Sequence, residues 1–292
     1  MPNLKEIRNR IVSVGSTMQI TSAMKMVSAA KLKRAQDAVT KLRPYASKLK
    51  ELLQNLSAVT DPSENKFAKI NDSKSVLIVA VTSNRGLCGG FNNNIIKRVQ
   101  FLIQNDFKEN DVKVLCLGKK VKDVIKKTPN YFITEELSAV EDIFSDLTFD
   151  RASTIANELM ELYKQQQFSK IVVVYNRFVN AATQAIETEQ FLPVLEVKQE
   201  EGVSVAQDYI FEPNKEDLVG LLIPKSLKIQ LFKALLDSNA SENGARMTAM
   251  HKATDNANDL QKSLKLSYNK ARQAAITNEI LEIVGGAEAL NN

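Results

Sequence analysis

Leu4-Lys5-Glu6-Ile7-Arg8-Asn9-Arg10-Ile11-Val12-Ser13-Val14 begins a ladder that decides the fold. Seam positions recur in alternating steps of three and four at Leu4, Ile7, Ile11, Val14, Met18, Thr21, Lys25, Ser28, Leu32, Ala35, Val39, Leu42, Ala46, Leu49, Leu53 and Leu56; only Thr21, Lys25 and Ser28 are polar. That spacing gathers an apolar seam on one side of a long helix, which needs a partner helix to cover it. A partner is available in cis. Met250, Ala253, Ala257, Leu260, Leu264, Ser267, Ala271 and Ala274 carry the same rhythm, and after a phase slip Ile276, Ile280, Ile283, Ala287 and Leu290 resume it. Many of these are Ala or Ser, whose small side chains let two helix backbones approach closely. The two ends are expected to pair as an antiparallel coiled coil. Sixty helical residues extend on the order of 90 Å at about 1.5 Å each, so a rod is expected there and not a core.

Working inward, Asn3 followed by Glu6 resembles a capping box that starts the first helix. Pro44 is expected to kink it or mark a joint, and Asp61, Pro62, Ser63 and Asn65 to end it. Val76–Val81 is a short, β-branched, fully apolar run of the kind that forms a buried strand. Further strands are expected at Val112–Leu117, Tyr131–Thr134 and Ile171–Tyr175, with an edge strand at Gln190–Val197 around Pro193. Helices are expected at Asn92–Asp106, Lys119–Lys127 and Arg151–Gln166. The alternation argues for a largely parallel sheet between helices. Asn214, with Glu216 and Asp217 behind it, is expected to cap the last helix, and Pro224 to bend it. The fold class is therefore α/β: a long antiparallel coiled coil of the N- and C-terminal helices, residues 1–60 and 214–292, plus a central Rossmann-like α/β domain over residues 70–200.

Net charge is +5 over 292 residues and is unevenly spread, because residues 1–59 hold eleven Lys and Arg against Glu6, Asp37 and Glu51. A basic helix suits nucleic acid, anionic lipid or an acidic protein, and equally a plain solvated face. Cys88 and Cys116 are the two cysteines. Each lies beside an apolar run, as reduced, packed thiols at the ends of adjacent strands would. No stretch reaches the 18 apolar residues of a membrane span, and Met1–Arg10 lack the apolar core of a secretory signal.

Ser83-Asn84-Arg85-Gly86-Leu87-Cys88-Gly89-Gly90-Phe91-Asn92 follows a strand and precedes a helix, where phosphate-binding loops sit. It has neither the Lys-Ser/Thr of a P-loop nor G-x-G-x-x-G spacing, and the second strand does not end on an acidic residue. A packed structural turn is the better reading. His251 is the only histidine, which excludes sites needing two imidazoles. Glu279 and Glu282 share a helix face without a pocket-forming loop nearby, so surface or partner contact outweighs acid–base chemistry. Methionines 18, 24, 26, 247 and 250 suit either packing or an adaptable binding surface. Catalytic residues, cofactor and metal are all expected to be absent. One function class consistent with these residues is a basic coiled-coil protein binding nucleic acid through residues 1–59; another is a nucleotide-dependent α/β enzyme.

Ile20-Thr21-Ser22-Ala23-Met24-Lys25-Met26-Val27-Ser28-Ala29-Ala30-Lys31 and Ile276-Thr277-Asn278-Glu279-Ile280-Leu281-Glu282-Ile283-Val284-Gly285-Gly286-Ala287 closely resemble the gamma subunit of F-type ATP synthases of bacterial type, and the resemblance extends over nearly the whole chain. Ser83–Asn92 is similar to that family's glycine-rich loop, with Asn84 where the family usually has Asp. The resemblance implies a non-catalytic rotor shaft that couples proton flow through a membrane ring to ATP synthesis or hydrolysis. Its coiled coil would stand inside a ring of three alpha and three beta subunits, and its α/β domain at the membrane c-ring beside the epsilon subunit. Nucleic acid is not a partner in that reading, and membrane association is peripheral, through the complex, at the cytoplasmic face of the bacterial cell membrane. Carried over residue by residue, Met24 and Lys25 would contact acidic beta-subunit loops. Arg246 with Glu279 and Glu282 would form a polar network between shaft and ring, and Arg272 with Gln273 a catch near the tip.

Overall fold

The computed structural model describes residues 4–57, 67, 73–137, 140–194 and 215–290. The chain order is α1 (Leu4–Ser57), β1 (Ser75–Val81), α2 (Phe91–Phe101, continued by a wider turn over Leu102–Asp106), β2 (Asp111–Leu117), α3 (Lys119–Ile125), β3 (Tyr131–Phe132), α4 (Phe149–Lys164), β4 (Lys170–Phe178), β5 (Gln184–Leu192) and α5 (Lys215–Leu290). A short 3-10 segment, Val140–Ser145, precedes α4. The chain divides into two compact units, one made of 1–28 with 247–292 and the other of 29–246. Asn3, Asn214 and the turn residues Asp61–Asn65 fall outside the described residues. Both prolines lie inside unbroken helices, Pro44 in α1 and Pro224 in α5.

In the larger unit the strand order is β3-β2-β1-β4-β5. β1 pairs in parallel with β2 and β4, β2 with β3, and β5 runs antiparallel to β4. Side chains alternate across the sheet, as the two-residue period of a strand requires. Leu77, Val79 and Val81 face a core completed by Ile155, Leu159 and Leu162 of α4 and by Leu227, Leu231 and Leu235 of α5. Ile78 and Ala80 face the opposite core, with Ile95 and Val99 of α2 and Val121 and Ile125 of α3. Burial on both faces is why β1 and the centre of β4 read as continuous apolar runs, and β2 as one broken only at Lys113.

The edge strand is a correction: it spans Gln184–Leu192, six residues earlier than Gln190, and its segment ends before Pro193. Only Phe191 and Leu192 in it are buried, so the polar remainder gives no apolar signal. A second correction concerns Cys88, which lies in the loop after β1, whereas Cys116 sits within β2. Both are buried thiols.

In the smaller unit, α1 and α5 run antiparallel. The hydroxyls of Thr21 and Thr254 lie 2.8 Å apart, within hydrogen-bonding distance. Each also reaches a carbonyl one turn back in its own helix, Met18 at 3.1 Å and Met250 at 2.8 Å. A polar seam position is thus satisfied across the pair and not left bare. No ladder residue from Leu4 to Leu49 is exposed. The α5 ladder needs two corrections. Leu260 is 51% exposed and Ser267 is exposed, while Gln261 and Tyr268, one place later, are half-buried. The Gln261 amide lies over Gly15, 2.9 Å from where a side chain there would begin. An amphipathic Gln or Tyr can cover apolar surface with its stem and keep its polar end accessible, and so takes the seam in place of Leu.

The second correction is the terminal ladder. Ile276, Ile280 and Ile283 are 46%, 54% and 71% exposed. With Gly15 against Gln261 and Thr21 against Thr254, each step back along α1 matches a step forward along α5. Leu4, where the described part of α1 begins, therefore lies opposite Ala271 and Arg272. Beyond that point α5 has no described α1 residues alongside it.

Candidate partner-binding surfaces

The turn after β1 is closed by its own groups. Ser83 N–H donates to Asn92 Oδ1 at 3.0 Å, and Asn92 Nδ2 donates to Ser83 Oγ at 2.8 Å. The loop also takes up the first three amides of α3: Lys119 N–H reaches Asn84 Oδ1 at 3.3 Å, Lys120 N–H reaches Ser83 O at 3.2 Å, and Val121 N–H reaches Thr82 Oγ1 at 3.1 Å. Gly118 adopts a positive φ of 109° against Thr82, and a Cβ there would stand 2.1 Å from the Thr82 carbonyl oxygen. The loop packs as a structural turn. Cys88 lies within it, its sulfur 3.2 Å from Asn92 Nδ2, and burial pushes its thiol up, so it stays protonated and unreactive at neutral pH.

Asn84 also donates from Nδ2 to Asp142 Oδ1 at 2.8 Å, and Lys119 Nζ lies 3.6 Å from the same oxygen. An amide serves both as donor to Asp142 and as acceptor from α3; a carboxylate would face Asp142 with like charge. The sequence did not reveal this link, because Asp142 lies 58 residues away.

Of the residues named from sequence, Arg246 has the most structure around it. It pairs with Glu242 one turn back in α5 and donates from Nη2 to the carbonyls of Arg85, 3.1 Å, and Gly86, 3.2 Å. The Glu242–Arg246 spacing of four is a legible helix pair; the loop carbonyls are not, being 160 and 161 residues distant. Met24 and Lys25 are half-buried on α1. Arg272, Gln273, Glu279 and Glu282 are exposed on α5, beside the uncovered Ile276, Ile280, Leu281, Ile283 and Val284. On α1, Ile20, Met26 and Val27 are exposed as well. These two helices thus present large apolar side chains on faces that the described chain does not cover, the pattern of a surface meant for another protein. His251 is exposed and pairs with Asp255, 3.3 Å away on the same helix.

Among the described residues no group of His, Cys, Asp and Glu could hold a metal ion, and no helix is long and apolar enough to cross a membrane.

A sequence model described as ATP synthase matches residues 3–290. A protein of Christiangramia forsetii named ATP synthase gamma chain is 59% identical over 292 residues, covering 100% of both chains. A chain in the cryo-EM structure of the Tetrahymena thermophila mitochondrial ATP synthase central stalk and c-ring is 25% identical, with a TM-score of 0.57 over 80% of this chain and 99% of that one. A chain of the Euglena gracilis mitochondrial ATP synthase shares the fold, with a TM-score of 0.70, 22% identity, and 98% of this chain and 94% of that one covered. Nothing in these likenesses supports the nucleic-acid reading. With the family model spanning the chain almost end to end, the chain belongs to the ATP synthase gamma chain family.

Proposed function

We propose that this chain is the central rotor shaft of an F-type ATP synthase, coupling proton flow through the membrane c-ring to ATP synthesis and hydrolysis in a ring of three alpha and three beta subunits. The observation that carries this is the end of α5, where five large apolar side chains project from a helix that no described residue of α1 accompanies. An apolar helix end of this kind needs a surrounding protein sleeve. The seam supports the same reading: its small residues and its Thr21–Thr254 pair give a stiff two-helix element that need not lock its outer face into one apolar fit.

The chain itself is non-catalytic and carries no cofactor. It is held peripherally at the cytoplasmic face of the bacterial inner membrane through the c-ring and the epsilon subunit. Residues 1–60 and 214–292 supply the shaft, and residues 70–200 the α/β domain. Met24 and Lys25 meet acidic loops of the beta subunits. Arg246, Glu279 and Glu282 contribute polar contacts to the ring, and Arg272 with Gln273 forms a catch near the tip. Neutral–charged hydrogen bonds of about 1.5–3 kcal/mol each bias ring conformations without holding the assembly together.

Affinity purification of the tagged chain from its own membranes, with the mass and subunit composition of what comes with it, tests this. Three copies each of alpha and beta subunit, an epsilon subunit and a c-ring are expected, and the chain stripped of them is expected to hydrolyse no ATP. Recovery of the chain alone or on nucleic acid, or turnover that survives removal of the beta subunit, overturns the proposal.

A further inference from the structure

A cleft with a volume of about 390 Å³ opens between α1, β4 and α5, within the larger unit. Its size falls in the roughly 300–1,000 Å³ range of small-ligand sites. Leu42, Phe178 and Leu236 form apolar wall, and four charged groups line it: Arg43 from α1, Arg177 from β4, and Lys233 and Asp237 from α5.

Of these four charges, one is matched by a close ion pair among the described residues. Arg177 is held by Glu187, at 2.7 Å. Arg43 and Lys233 make no hydrogen bond or close ion pair among the described residues. Asp237 is the unusual member. The residue is 4% exposed, yet among the described residues its carboxylate accepts no hydrogen bond and makes no close ion pair. Burial pushes its carboxyl up, and Lys233, Arg43 and Arg177 pull it partway back. A largely buried carboxylate that faces a cleft and accepts no protein hydrogen bond leaves its oxygens open to a donor in that cleft.

A ligand that suits this cleft must be an anion, for Arg43 and Lys233, and must also bring a proton to donate, for Asp237. Sulfate meets the first condition and fails the second. A phosphate monoester, whose second ionisation falls near 6, has lost most of its P–OH protons at neutral pH. Inorganic phosphate still carries a P–OH in both forms it takes there. We infer that the cleft between α1, β4 and α5 is a binding site for inorganic hydrogen phosphate, with Arg43 and Lys233 donating to its oxygens and Asp237 accepting from its P–OH. The inference rests on the cleft alone and does not depend on the partners proposed above.

Isothermal titration of the full-length chain at pH 7.5 with sodium phosphate, sodium sulfate and glycerol phosphate at matched ionic strength tests it. Saturable phosphate binding is expected, with sulfate weaker by at least about tenfold, because a site built to accept a hydrogen bond rejects an analogue that lacks the donor. Asp237→Asn, whose amide can donate to any anion, is expected to bring the two within about threefold by improving sulfate. Arg43→Ala with Lys233→Ala is expected to weaken phosphate by at least about tenfold. Circular dichroism of each variant checks the fold, and Arg43→Ala alone, at an exposed position on α1, keeps the test decisive should Asp237→Asn fail to fold. Equal affinity for phosphate and sulfate, a preference that persists in folded Asp237→Asn, or unchanged phosphate affinity in folded Arg43→Ala overturns the inference. So does the absence of saturable phosphate binding up to about 10 mM. Glycerol phosphate binding as tightly as inorganic phosphate at pH 7.5 overturns the assignment to the inorganic ion.

Discussion

Gly118 illustrates how much of this chain is set by single backbone positions. Its φ of 109° and its approach to the Thr82 carbonyl leave no room for a Cβ, and the atom in the way is backbone, which cannot swing aside. Gly118→Ala is therefore expected to destabilise the chain by about 2–3 kcal/mol, lowering the melting temperature by roughly 5–10 °C. A thermal melt within about a degree of wild type contradicts this. Asp237 gives a second test. Its folded-state carboxyl titrates above the unfolded one because it is buried, so the folded state holds that proton more tightly. Its ionisation therefore works against folding as pH rises past the unfolded value of about 3.9. Asp237→Asn removes the penalty. In buffers free of phosphate and sulfate, the variant is expected to melt higher than wild type at pH 7 and to converge with it below about pH 4. A constant difference across that range rules out the burial account. The turn chemistry was partly legible: the failed phosphate-loop spacing already argued for a packed loop. The partners Asp142 and Arg246 were not, because contacts across tens of residues leave no local periodicity.

At the scale of the element, β1, β2 and β4 were readable because burial on both faces gives each a mainly apolar centre rich in Val and Ile or Leu, broken in β2 only by the half-buried Lys113. β5 was misplaced because it is an edge strand with only two buried residues, and polar half-buried positions such as Glu187 and Glu189 carry no alternation that a reader can separate from loop. The α1 seam was readable from Leu4 to Leu49, with the side chains of Leu53 and Leu56 outside the described residues, whereas on α5 the apolar Leu260 drew the ladder one place away from Gln261, which the seam uses. The end of α5 was recognised as apolar, but its exposure depends on where the helices stop facing each other, a property of register and not of composition. Its side chains cover nothing among the described residues, so Ile280→Ser with Ile283→Ser is expected to change the stability of the isolated chain by no more than about 0.5 kcal/mol. In the assembled complex the same pair is expected to lose about 1.5–3 kcal/mol per buried side chain and to speed dissociation from the alpha and beta subunits on dilution. Gel filtration of the complex checks it. Unchanged dissociation, or an unfolded isolated chain, places those side chains elsewhere.

For the whole molecule, service as a rotor shaft requires that this chain turn relative to the subunits around it. Both native thiols are buried, so a cysteine introduced at the exposed position Lys126, just after α3, takes a probe selectively. With the complex fixed through its beta subunits and a visible rod attached at Lys126→Cys, ATP is expected to drive rotation in one direction with one main dwell for each of the three alpha–beta pairs. A rod that stays fixed relative to the ring while the same complexes hydrolyse ATP at the unlabelled rate contradicts the rotor assignment.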